Sequence, residues 1–101
     1  MKLNVLRGKI LRLLYELYPD GIEHTSLLGI YYPYEKLDNI GKAVQYLVDR
    51  NIVVKNEIPH PYKAEKTIMF YKISPGGIDL VEGSIKSLAG VCLIPEDDSN
   101  G

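Results

Sequence analysis

The apolar residues of this chain change their spacing at Asn51, and that change restricts the fold more than any other feature. Before it, Leu6, Ile10, Leu13, Leu14 and Leu17 recur at intervals that put them on one face of a helix. After it, Ile52 to Ile58 and Thr67 to Ile73 are rich in β-branched and aromatic residues and read as two strands. Between these strands, residues 59–66 (Pro59-His60-Pro61-Tyr62-Lys63-Ala64-Glu65-Lys66) are too many and too proline-rich for a tight turn, so a projecting loop is expected. Ser74 then precedes Pro75, the pattern of an N-cap followed by proline at the first helical position, and Ile78, Leu80 and Val81 continue that last helix.

Two further helices are expected ahead of the strands. Glu23-His24-Thr25-Ser26 supplies capping side chains for a short helix through Leu27, Leu28 and Ile30, which Pro33 interrupts. A third helix is expected to start between Pro33 and Asp38, with Asp38 as N-cap, and to run to Arg50. Its buried side carries Leu37, Ile40, Val44, Leu47 and Val48, and Asn51 closes it. The opposite side gathers Asn39, Lys42 and Tyr46, flanked by Glu35, Asp49 and Arg50.

At 100° per residue, Leu11, Tyr15 and Tyr18 form a second stripe on the first helix, so apolar side chains cover more than half its circumference. Either the C-terminal part of the chain covers that stripe, or a second copy does. Pro19-Asp20-Gly21 ends this helix. Ile85, Leu88, Val91, Leu93 and Ile94 are placed to lie back against the domain, whereas residues 96–101 read as a disordered acidic tail after a domain spanning 1–95.

Composition narrows the function classes. With 101 residues, 46% apolar and 25% charged, the chain has the make-up of one globular domain, and no apolar run approaches the roughly 20 residues a bilayer crossing needs. A cytoplasmic location is the expectation. The single cysteine, Cys92, leaves no internal disulfide and no paired-cysteine zinc site. Setting aside Glu96, Asp97 and Asp98, 12 basic residues face 10 acidic ones, a bias too small to indicate a nucleic-acid partner by itself.

Three helices, a hairpin with a long loop and a closing helix, in that order, define an α+β fold: a three-helix bundle with a two-stranded β-hairpin and a C-terminal helix. The stretch from Asp38 to Val53, with the hairpin and Tyr71-Lys72-Ile73-Ser74-Pro75-Gly76-Gly77-Ile78-Asp79-Leu80, resembles the core of bacterial winged helix-turn-helix regulators of the MarR-like and ArsR-like kind. Asp38-Asn39-Ile40, Tyr46-Leu47, Ile52-Val53, Gly77-Ile78-Asp79 and Gly83 resemble, more specifically, small winged-helix proteins of Mu-like prophages. The resemblance covers roughly residues 6–90 and departs from those families between Thr25 and Asp38, a shorter segment that carries Gly29 and Pro33. The metal-binding cysteines of the ArsR-like proteins have no counterpart, so no metal or cofactor is expected.

The resemblance implies double-stranded DNA as partner, with the third helix in the major groove and the hairpin loop as a wing on neighbouring backbone. Asn39 then reads an adenine edge, Lys42 a guanine edge or phosphate, and Tyr46 donates to a phosphate. Lys36, Lys63 and Lys66 add positive charge, with His60 and Tyr62 near the loop lysines. Glu35, Asp38, Asp49 and Glu65 nearly cancel that charge. A homodimer is expected, with Leu11, Tyr15, Tyr18, Tyr31 and Tyr32 as its contact or as a surface for another protein. The alternative is a protein-binding module without DNA.

Catalysis finds no support in the motifs. There is no phosphate-cradling glycine run, no metal-spaced histidine pair and no nucleophile elbow, and His24 and His60 lie a helix pair apart. Gly76-Gly77 reads as a turn feeding the last helix. A small transcriptional regulator of bacterial or prophage origin, not an enzyme, is the expected function.

Overall fold

A computed structural model describes residues 2–83 and 88–93. Among them the order of elements is α1 (Leu3–Leu17), β1 (Ile22–Glu23), α2 (His24–Tyr31), α3 (Leu37–Asp49), β2 (Val53–Pro59), β3 (Thr67–Ile73) and α4 (Pro75–Glu82). The architecture is α+β, with four helices and one antiparallel sheet. The expected tail at 96–101, and the expected packing of Ile85 and Ile94, lie outside the described residues. No helix among the described residues is long and apolar enough to cross a membrane.

The hairpin registers Val53 with Ile73 and Pro59 with Thr67, within one residue of the expected strands. The sheet nevertheless has three strands rather than two. Ile22 and Glu23 pair with Tyr71 and Phe70, so the strand order is β1-β3-β2. Two residues of strand leave no alternation to read, which is why the segment looked only like a helix entry.

Its capping differs as well. Glu23 occupies the N-cap of α2 without a side-chain hydrogen bond, and the Thr25 hydroxyl instead donates to Glu23 Oε1 at 2.7 Å. Lys36, not Asp38, is the N-cap of α3. Asp38 sits in the first turn, where its charge still complements the helix dipole. Ser74 does cap α4 as expected: its Oγ accepts from the Gly77 N–H at 3.1 Å and donates to the Asn51 carbonyl at 2.8 Å. Asn51 itself adopts φ 61°, the left-handed conformation that closes a helix.

The core lies between α1, α3 and the inner face of the sheet. Leu6, Ile10, Leu11 and Leu14 of α1 and Ile40, Ala43 and Leu47 of α3 are all fully buried. Burial of each of the larger ones contributes about 1.5–3 kcal/mol. One expectation for α3 is overturned here, since Leu37 is 48% exposed, and Ala43, not named for the buried side, takes a place in the core. With Ala43 inside and Leu37 outside, the buried face of α3 is turned toward Ala43 from the one that the larger apolar residues suggested.

The second stripe of α1 is covered from within the chain at Leu11 and in part at Tyr15, while Tyr18 stays exposed. The Cys92 N–H donates to the Asn4 carbonyl at 2.9 Å, and Val91 is 4% exposed. Gly8 permits this approach, because a methyl group there would occupy the position of the Cys92 carbonyl. Arg7 and Arg12 clasp the same segment, donating to the carbonyls of Gly90 at 3.1 Å and Leu93 at 2.8 Å.

Candidate nucleic-acid interface

The turn of α3 decides which of its side chains face outward. Opposite Ile40, Ala43 and Leu47 stand Asp38, Lys42, Gln45 and Asp49, all exposed and spaced at i, i+4, i+7 and i+11. Two local pairs tie them together. Lys42 Nζ lies 3.1 Å from Asp38 Oδ2, with the side chains 68% and 76% exposed, and Gln45 Nε2 donates to Asp49 Oδ1 at 2.8 Å. This face therefore carries two carboxylates, one amine and one amide.

Of the expected contact residues, Lys42 sits at the centre of that face, Lys36 is exposed at the start of the helix, and Lys63 and Lys66 are exposed in the loop of residues 60–66. Asn39 lies on the flank, and its Nδ2 donates to Glu35 Oε1 at 2.9 Å. The Glu35 oxygen also accepts from the Lys36 N–H at 3.0 Å. First the Asn39 amide and then this backbone N–H hold the Glu35 carboxyl below the usual glutamate value.

Tyr46 lies off this outward face. The Arg7 guanidinium stacks 3.9 Å from its ring centroid, and Gly90 packs against its hydroxyl end. Tyr46 instead seals α3 to α1 and to the 88–93 segment. Gln45 was missed in its place, and the signal for it was available: it follows Lys42 by three residues on the side away from Ile40, Ala43 and Leu47.

The loop between the strands is organised by His60. Its Nδ1 accepts from the N–H groups of Tyr62 and Lys63 at 3.0 and 3.2 Å. The His60 and Tyr62 rings meet edge-on at 6.2 Å, while Tyr62 remains 91% exposed. Lys63, Glu65 and Lys66 leave this loop with a small positive charge.

The tyrosines proposed for a subunit contact separate into two groups. Leu11 is fully buried and Tyr31 is 9% exposed, so both belong to the core and offer no surface to another chain. Burial raises the Tyr31 pKa above the usual value. Tyr15 is half-buried, and its hydroxyl donates to Glu82 Oε2 at 2.7 Å. That acceptor, with some burial and the negative charges of Glu82 and Glu16, raises its pKa also. Tyr18 and Tyr32 remain exposed at 50% and 64%. With Tyr32, the α2–α3 turn also exposes Ile30, Tyr34 and Leu37.

His24 ties α2 to the sheet through Tyr71, Nδ1 lying 2.8 Å from the hydroxyl. Among the described residues, no three His, Cys, Asp or Glu side chains gather as metal ligands. The chain matches no family model, no curated protein and no solved structure.

Proposed function

We propose that this chain is a winged helix-turn-helix domain that binds double-stranded DNA as a small regulator, with α3 in the major groove and residues 60–66 as the wing. Support for the fold comes from the element order α1-β1-α2-α3-β2-β3 and the strand order β1-β3-β2, in which β1 ties the helices to the wing hairpin. The step from this fold to DNA is an analogy between folds.

One observation carries the functional reading: the outward face of α3 is wholly polar, and the same domain carries an exposed hairpin loop that bears two lysines. A face of this kind suits a hydrated groove better than an apolar protein surface. Gln45 is the residue for an adenine edge, and Lys42 for a guanine edge or phosphate. Lys36, Lys63 and Lys66 supply phosphate contacts, and Asn39 contributes from the flank. The Lys42–Asp38 pair costs little to exchange for a DNA contact, because exposed pairs contribute at most about 1 kcal/mol. The regulator acts in the cytoplasm of a bacterium, encoded by the cell or by a prophage, and has no catalytic role.

A second reading rests on the exposed cluster Ile30, Tyr32, Tyr34 and Leu37, an apolar and aromatic surface suited to another protein. Selection from a random duplex library across a salt series separates the two. DNA binding predicts enriched sequences whose preference relaxes in Gln45→Ala, and uniformly weaker binding in Lys42→Ala. Absence of binding even at low salt, with the helical fold intact, rejects the DNA reading in favour of the second.

A further inference from the structure

The free edge of β2 is complementary to itself. β2 lies at the end of the sheet, and every residue from Val54 to Pro59 is exposed. The His60 N–H donates to the Lys66 carbonyl at 2.9 Å and the Ser74 N–H to the Ile52 carbonyl at 3.1 Å. Together with the register of the hairpin, these bonds make the even-numbered residues of β2 the ones that hydrogen-bond β3. The backbone N–H and C=O groups of Val53, Lys55 and Glu57 therefore point away from the sheet, and nothing among the described residues pairs with them along the strand.

Such an edge is a template for another strand unless its side chains forbid it. Consider a second copy running antiparallel across a two-fold axis. Only odd-numbered residues present backbone groups to the partner, so few registers are available. Centring on Lys55 sets two lysines opposite one another, and centring on Glu57 sets two glutamates opposite one another. Centring on Asn56 puts Lys55 opposite the second copy's Glu57, and Glu57 opposite its Lys55. The same register sets Val54 against Ile58 on the other face, and these two side chains are 42% and 44% exposed in the single chain. Pro59, which lacks an N–H, ends the pairing. An edge closed by like charges in two registers and joined by opposite charges in the third specifies its partner.

We propose that β2 pairs with β2 of a second copy about Asn56, joining two three-stranded sheets into one of six strands. The occupant of this edge is the chain itself, because the alternation Val-Lys-Asn-Glu-Ile from 54 to 58 complements its own reversal in shape and charge. The pairing is isologous and closed, since each β2 has only one outward edge. This inference is independent of the DNA reading, as it uses neither α3 nor the loop. It also supplies a subunit contact that does not draw on Leu11 or Tyr31, which are buried within the chain.

The test is charge reversal followed by sedimentation of the full chain over a range of concentrations up to about 1 mM. The wild type is expected to show a monomer–dimer equilibrium. Glu57→Lys and Lys55→Glu each set like charges opposite in both symmetry-related pairs and weaken the dimer by about tenfold or more. The double variant Lys55→Glu/Glu57→Lys restores it, and mixing the two single variants gives a heterodimer stronger than either homodimer. Circular dichroism of each variant confirms that these exposed substitutions leave the fold intact. A wild type that stays monomeric throughout, or a dimer indifferent to both single reversals, overturns the proposal.

Discussion

Alanine at Gly8 tests how the C-terminal segment is held, because its effect is expected to have the opposite sign from that of the same substitution elsewhere. In an open helical position, glycine to alanine stabilises by up to about 1 kcal/mol through the entropy of the unfolded chain and better helix propensity. Gly41 of α3 is such a position, with no atom within 4 Å of an added methyl. At Gly8 the methyl displaces the Cys92 carbonyl, and the segment must lift. Lifting exposes Val91, which is 4% exposed in place, at a cost of about 1.5–3 kcal/mol. It also breaks the bond from the Cys92 N–H to the Asn4 carbonyl and loosens the two arginine contacts, each bond contributing about 1 kcal/mol net. Recovered freedom of the segment and the helix gain offset part of this. Gly8→Ala is therefore expected to destabilise by about 2–3 kcal/mol, while Gly41→Ala stabilises by up to about 1. Urea unfolding measures both, as midpoint shifts in opposite directions at similar slope. A Gly8→Ala midpoint that rises with that of Gly41→Ala would refute the seating of residues 88–93 on α1.

Leu11→Ala is expected to cost about 2–5 kcal/mol by urea unfolding, because the side chain is fully buried; a change under about 0.5 kcal/mol would return it to the surface. Ser74→Ala removes the cap of α4 and the donor to the Asn51 carbonyl, for an expected loss of about 1–2 kcal/mol by the same measurement. The carboxyl of Glu35 is held below its usual pKa in the folded chain, so its stabilising contribution is present above the unfolded value of 4.5 and is lost as pH falls through the lower folded value. Asn39→Ala removes the largest cause, and the Glu35 carbon resonance in an NMR titration should then shift at a higher pH than in the wild type.

The strands and α4 were legible in the sequence because their signals are local. Thr67–Ile73 is an unbroken run of seven residues rich in β-branched and aromatic side chains, and Ser74-Pro75 marks a helix start by covalent geometry and one side-chain oxygen. β1 was not legible, since its two residues have no period and exist as a strand only because Tyr71 and Phe70 are there to pair with. The face of α3 was misread for a different reason. Large apolar residues dominate a helical wheel, yet Ala43 reached the core while Leu37 did not, because helix approach distance is a tertiary property. That rotation moved Tyr46 inward, under Arg7, and brought Gln45 outward. The coverage of α1 by residues 88–93 rests on Gly8, whose meaning depends on a partner segment 84 residues further along the chain at Cys92.

Charge sets how the proposed dimer and the proposed DNA contact combine. On one copy, Lys36, Lys42, Lys63 and Lys66 provide at most four phosphate contacts, and Asp38, Asp49 and Glu65 stand among them. With each neutralised phosphate adding about 0.9 to the salt slope, these four lysines give a single copy a slope of about −4 and two copies bound together about −7. A slope beyond what these four lysines supply is the expected outcome when two chains share one duplex. If β2 pairing joins those chains, Glu57→Lys brings the slope back towards the single-copy value although position 57 lies outside the proposed DNA-contact residues. A direct electrostatic effect of the new lysine would steepen the slope instead. The sign of that change separates a dimer that organises binding from a wing strand that merely lies near phosphate.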